Sequence, residues 1–71
     1  MMTRPQRQFY EEVGQRIRSA RIRRRLTQQE LARRVGLKTG VAIHYWEHGQ
    51  TGISLWQVRE LERVLGEGIY L

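Results

Sequence analysis

The stretch Leu26–Gly36, with the sequence LTQQELARRVG, decides the fold. Thr27 has a hydroxyl that can cap a helix, and Glu30, three residues later, can bind back to the Thr27 amide in a reciprocal capping box. The apolar residues that follow have helical spacing: Leu31, Ala32 and Val35. Gly36 then ends the helix. A helix of about eight residues is too short to be stable alone in water, so the rest of the chain must hold it by tertiary contacts.

A longer helix precedes this stretch. It is predicted from about Pro5 or Gln8 to Arg25, because apolar residues recur there at helical spacing: Phe9, Val13, Ile17 and Ala20. The run Arg23–Arg25 in its last turn places cations at the negative end of the helix dipole. This arginine run therefore has a structural explanation and need not be a binding patch.

A third helix is predicted over about Gly40–His48, ended by Gly49. On a helical wheel, Ile43 and Trp46 face the core. The opposite side of this helix and the residues before it present Lys38, Val41, Ala42, Tyr45 and His48. Two short helices joined at a glycine make residues 27–48 a helix-turn-helix, in which the first helix crosses a DNA backbone and the second lies in the major groove.

The fourth helix opens at Ser54, has Gln57 at the capping-box position and ends at Gly66. Its apolar stripe consists of Leu55, Val58, Leu61 and Leu65. The tail, residues 67–71, ends in three apolar residues that form either a short strand or a docked terminus. The whole chain, residues 1–71, is predicted as one all-α domain, a compact bundle of four to five short helices.

Composition indicates a polyanionic partner. The 71 residues carry 13 Lys and Arg against 7 acidic residues, a net charge of +6, and all but one of the cations are arginine. The planar arginine fork suits phosphates and guanine edges, which favours nucleic acid; a genome with arginine-rich codon usage would give the same bias. The absence of cysteine excludes disulfides and thiolate metal sites. Neither a membrane span nor a secretory signal is predicted, which favours a cytoplasmic protein.

The chain resembles the phage repressor, Cro and Xre-type helix-turn-helix regulators, the lambda repressor-like family. The likeness runs through IRSARIRRRLTQQELARRVGL, IHYWEHG and LERVLG, roughly residues 13–66. It implies a transcriptional regulator that binds specific double-stranded DNA sequences, most simply a repressor acting as a homodimer on a two-fold symmetric operator, with no enzymatic role and no cofactor. The chain departs from the family in one place, since it has one residue more than the common spacing between Gly36 and Ile43.

The resemblance also bears on the segment HYWEH, residues 44–48, which has the H-x-x-E-H spacing of a class of zinc peptidases. His44 and His48 share a helix face, as two zinc ligands would. Glu47, however, matches a family glutamate that pairs with an arginine of the first helix, here Arg21. We therefore expect a structural Arg21–Glu47 ion pair and no metal site.

The predicted DNA contacts centre on the helix-turn-helix. The resemblance places Gln28 on a phosphate. Lys38 can reach guanine acceptors, whereas Thr39 can contact a base or phosphate or simply cap the third helix. Methyl groups of thymine are the only base features that Val41 and Ala42 can read. The remaining members of the set are Tyr45 on the exposed face, His48 near phosphate, and Arg34, Gln50 and Thr51 on flanking phosphates.

Several of these residues have an alternative reading. Gln28 can also be an ordinary residue of the first helical turn. Arg33, a further candidate for a flanking phosphate, can equally be solvated surface, as can Arg34, Gln50 and Thr51. Residues 1–8, with Arg4 and Arg7, can form a flexible basic arm along DNA, or be disordered.

A two-fold operator requires a dimer surface. We expect it at the C-terminal end, formed by Trp56, Ile69, Tyr70 and Leu71, unless the tail packs onto its own domain. Two competing functions remain. One is an antitoxin or adapter that uses the same fold to bind a toxin or another protein; the other is nucleic-acid binding without sequence preference, including RNA.

Overall fold

A computed structural model describes residues 1–70 of the chain. Within these residues, four α-helices follow one another: α1 Arg4–Arg23, α2 Gln28–Arg34, α3 Val41–Glu47 and α4 Leu55–Leu65. The described residues contain no strand, and their principal extents are 31 × 23 × 20 Å. The prediction of an all-α bundle is confirmed, with four helices.

Local capping sets where three of these helices begin. The Thr27 hydroxyl accepts from the Glu30 amide at 3.0 Å, and a Glu30 carboxylate oxygen accepts from the Thr27 amide at 2.8 Å. Ser54 and Gln57 form the same reciprocal pair at the start of α4. Both capping boxes lie where the sequence predicts them, because each depends only on residues three apart.

The structure decides between the two starts predicted for the first helix, Pro5 and Gln8, in favour of the earlier one. A third capping box, between Thr3 and Gln6, starts α1 at Arg4 with Pro5 in its first turn. Residues 4–8 are therefore helical, and a flexible arm spanning residues 1–8 is wrong. The reason is local, since proline is favoured in the first turn of a helix and Thr3 supplies the cap.

The core lies where the four helices meet. Its buried apolar residues are Val13, Ile17, Ala20, Leu31, Ala32, Ile43, Trp46, Val58, Leu61, Leu65 and Ile69. Phe9 and Leu55, the first members of their predicted stripes, are exposed at 40% and 57%. Each lies in the first two turns of its helix, before the helix reaches the core.

The tail docks on its own domain. Ile69 is 1% exposed, and its amide donates to a Glu62 carboxylate oxygen at 2.9 Å. Ile69 thus follows the alternative in which the tail packs onto its own domain: it is a core residue and cannot contact a second copy, because its apolar surface is already buried within the monomer. The tail forms no strand up to Tyr70, and the predicted contact of Leu71 lies outside the described residues.

Two close backbone contacts fix α3 against α1. A Cβ placed on Gly14 would lie 2.2 Å from the Trp46 carbonyl oxygen, so only glycine permits this approach. Gly49, which follows α3, has a φ of +65°, and a Cβ there would lie 2.6 Å from the Glu11 side chain. The position of α3 relative to α1 is therefore set by backbone packing as well as by side chains.

Candidate nucleic-acid interface

The outer face of α3 is exposed, whereas its inner face is buried. Inside, Ile43 and Trp46 are buried, as the helical wheel predicts. Outside, Val41 is 56% exposed and Tyr45 43% exposed. His44 and His48 are exposed beside them, whereas Ala42 is half-buried against the core and offers little of its methyl group to a ligand.

Beneath this face lies a buried polar network that joins three helices. The Glu47 side chain is fully buried and accepts from Arg21 Nε at 2.6 Å and from Arg21 Nη2 at 3.1 Å. The same carboxylate accepts from Gln28 Nε2 at 3.1 Å, and Arg21 Nη1 donates to the Leu26 carbonyl at 2.9 Å. All buried side-chain polar atoms of the described residues have partners. The network therefore holds α3 in one orientation against α1 and the start of α2.

The network accounts for the H-x-x-E-H spacing. Glu47 points inward to Arg21, away from the two histidines. The His44 and His48 rings lie tilted against each other with centroids 4.3 Å apart, and His48 Nδ1 lies 2.9 Å from the His44 carbonyl oxygen. Within residues 1–70, no three histidine or acidic side chains are grouped so that they could hold a metal ion.

The two polar residues expected at the start of α3 lie in the turn that precedes it. Lys38 and Thr39 are exposed but lie outside the helix, which has Gly40 as its N-cap. The Thr39 hydroxyl accepts from the Val41 amide at 3.4 Å without being the capping residue. Gln29 on α2 binds this turn, since it accepts from the Gly40 amide at 3.0 Å and donates to the Lys38 carbonyl at 3.2 Å.

The predicted set of DNA contacts omits two residues of this surface. His44 lies between Val41 and Tyr45 on the exposed side, and the same wheel that selected those residues would have included it. Gln29 had no signal of its own, because its role depends on a turn eleven residues away.

The structure does not bring all the predicted contacts together. Gln50 and Thr51 are exposed in the loop after α3, and the Gln50 amide donates to the Tyr45 carbonyl at 3.0 Å, which ties this loop to the helix. Arg34 is exposed but lies roughly 140° around α2 from Gln29 at 100° per residue. Arg34 thus belongs to another side of α2 than the residues that border α3.

The aromatic residues expected at a dimer contact lie apart from α3's exposed face. Trp56 is 74% exposed and borders a shallow pocket with Val35 and Leu37. Tyr70 is 45% exposed, and its ring packs edge-on against Phe9 with centroids 5.7 Å apart. These are two separate exposed aromatic surfaces.

Comparison with known proteins identifies the fold. A helix-turn-helix family model, HTH_3, matches residues 17–70, which include all of α2, α3 and α4. No curated protein matches the chain. No solved structure matches it either. No helix among the described residues has the length and apolar character needed to cross a membrane. The chain belongs to the Cro- and Xre-type helix-turn-helix family of DNA-binding domains, which serve transcriptional regulators and have no catalytic activity.

Proposed function

We propose that the protein is a transcriptional repressor that binds a two-fold symmetric DNA operator as a homodimer, with α3 in the major groove. The observation that carries this proposal is the pairing of an exposed outer face on α3 with a buried network beneath it. Tyr45 is 43% exposed, whereas Glu47, two residues later, is 2% exposed and bound to Arg21. A rigid helix with exposed polar and aromatic side chains suits base readout, because base contacts require accurate placement.

The side chains divide into base readers and phosphate contacts. We assign Lys38 to guanine acceptors, and Val41 and Tyr45 to base edges and thymine methyl groups. Thr39, His44, His48, Gln50 and Thr51 flank this centre and suit phosphate oxygens.

Gln28 joins the two halves of the proposed site. One N–H of its side-chain amide donates to Glu47 at 3.1 Å. Because an amide nitrogen carries two hydrogens, the second can donate to a phosphate at the start of α2. A phosphate held there would fix the orientation of α2 on the DNA without reading sequence.

The dimer contact proposed here centres on Trp56. It lies beside Leu55, which is 57% exposed, and beside the half-buried Val35 and Leu37. An apolar surface of this kind is often an interaction site. Two copies joined through it would form the isologous contact that a two-fold operator requires. Such a dimer represses transcription by occupying its operator. We propose a cytoplasmic location, because the DNA target lies there.

Substitutions on α3 and its preceding turn test the readout. We expect Lys38→Ala and Tyr45→Ala each to weaken binding to the preferred duplex by about tenfold while leaving binding to unrelated duplexes nearly unchanged, since one good base contact is worth about 1–3 kcal/mol. Fluorescence anisotropy with both duplexes measures the ratio of the affinity for the preferred duplex to the affinity for an unrelated duplex. Gln8→Ala, an exposed glutamine substitution on α1, is the control. Wild-type ratios in both variants would contradict the assignment of α3 as the reading helix.

A further inference from the structure

The third helix lacks the side-chain cap that starts the other three. Thr3, Thr27 and Ser54 each cap their own helix, whereas the N-cap of α3 is Gly40, with no capping side chain of its own. Something else must therefore order the segment that carries Lys38 and Thr39.

Gln29 supplies that order from the neighbouring helix. Its Oε1 accepts from the Gly40 amide at 3.0 Å, and its Nε2 donates to the Lys38 carbonyl at 3.2 Å. One planar amide thus binds the backbone on both sides of Thr39. In a capping box, a side chain three residues into a helix accepts from the N-cap amide; here a glutamine of α2 performs this role for α3.

Packing at Gly40 strengthens the connection. A Cβ on Gly40 would lie 3.0 Å from the Gln28 carbonyl carbon and 3.0 Å from the Gln29 amide nitrogen. The turn therefore rests directly on the first turn of α2. The two hydrogen bonds of Gln29 thus join α2 to the turn where their backbones are already in close contact.

We infer that Gln29 is a positioning residue that determines DNA sequence preference by fixing where Lys38 stands. This inference rests on the proposed function, in which Lys38 reads bases. Gln29 itself is not the reader, because the amide edge that would bind adenine bidentately is already engaged by the chain's own backbone. Without the two hydrogen bonds of Gln29, the turn that carries Lys38 has more conformational freedom. A base contact that is placed less accurately discriminates less between DNA sequences.

A double-mutant cycle tests this coupling. Gln29→Met keeps the length of the side chain and removes both hydrogen bonds. Gln8→Met is the matched control, because Gln8 is an exposed glutamine on α1. The quantity measured is the ratio of affinities for the duplex preferred by wild type and for a scrambled duplex, with folding at the assay temperature checked by circular dichroism.

We expect Gln29→Met to lower this ratio by about fivefold, at the lower end of what one base contact contributes. In the Lys38→Ala background, the same substitution should change the ratio by less than about twofold, because the side chain that it positions is gone. If Gln29→Met does not fold, Gln29→Glu replaces it in the cycle, since glutamate can still accept from Gly40 but cannot donate to the Lys38 carbonyl.

The outcomes are distinguishable. An effect of Gln29→Met that persists in full without Lys38, or no effect where Lys38→Ala has one, would overturn the inference and leave the proposed function standing. No effect of Lys38→Ala itself would also overturn the inference, because Lys38 would then not read bases; the proposed function falls only if Tyr45→Ala has no effect either. A loss that vanishes in the Lys38→Ala background supports the positioning role.

Discussion

Replacing Glu47 by glutamine should destabilise the domain far more than a change of one atom suggests. Three donors converge on the two carboxylate oxygens: Arg21 Nε at 2.6 Å, Arg21 Nη2 at 3.1 Å and Gln28 Nε2 at 3.1 Å. A glutamine amide presents one oxygen and one NH2 group, so at least one donor then faces another donor. The substitution also leaves the Arg21 cation without its counter-charge.

The expected cost is about 3 kcal/mol. Removing one partner of a buried ion pair costs roughly 3–5 kcal/mol. The lower end applies because the Arg21 side chain is 13% exposed, which lets water stabilise the cation in part. A domain of 71 residues has a total stability of roughly 4–11 kcal/mol at the usual value per residue. The variant therefore loses a large share of its stability, and its melting midpoint should fall by about 12–24 °C.

Thermal and urea unfolding followed by circular dichroism measure this change. The control is Glu60→Gln, which breaks the exposed i,i+3 pair in which Arg63 Nε donates to Glu60 at 3.0 Å. Its midpoint should hardly move, because solvent screens such pairs. Equal midpoints for the two variants would refute the reasoning, since they would mean that burial adds nothing to the Arg21–Glu47 pair.

Two further predictions concern the tail and the dimer. The backbone amides of Ile69 and Tyr70 donate to the Glu62 carboxylate and lower the pKa of this carboxyl below its ordinary value of 4.5. The stability that this carboxylate contributes is therefore present above about pH 4.5 and lost as the pH falls through the lower pKa of the folded state. In urea unfolding at pH 3–7, the free energy of unfolding of Glu62→Gln should fall less steeply with acid than that of wild type. Parallel pH profiles would exclude Glu62 as the cause. Trp56→Ala should weaken self-association in sedimentation experiments without lowering the melting midpoint of the monomer, and unchanged self-association would place the dimer contact elsewhere.

Features set by near neighbours in sequence were predictable. The capping boxes at Thr27 and Ser54 and the inward face of α3 follow from spacing alone. The capping box of Thr3 and Gln6 has the same T-x-x-Q spacing, so the start of α1 could have been read in the same way. The capping box at Thr3, and not the charge of Arg4 and Arg7, determines the structure of this segment.

Features set across the fold were not predictable. Ile69 packs inward in a tail that folds back along α4. The Glu62 carboxylate accepts from the Ile69 amide only in that arrangement. The role of Gln29 depends on a glycine N-cap in a turn eleven residues later. Arg34 has the right charge for a phosphate, but its direction depends on how α2 is rotated against the core. Arg21 and Glu47 were paired only by resemblance, because residues 26 positions apart give no periodic signal.

The most direct test of the central claim is selection from a pool of random duplex DNA by the purified protein at two salt concentrations. The account predicts enrichment of a two-fold symmetric site with half-site centres about 34 Å apart, retained at the higher salt because base contacts add to the phosphate contacts. A pool without a common sequence, with binding that disappears as salt rises, would contradict it. The positive charge would then reflect only general attraction to polyanions, and the outer face of α3 would have to serve a protein partner instead.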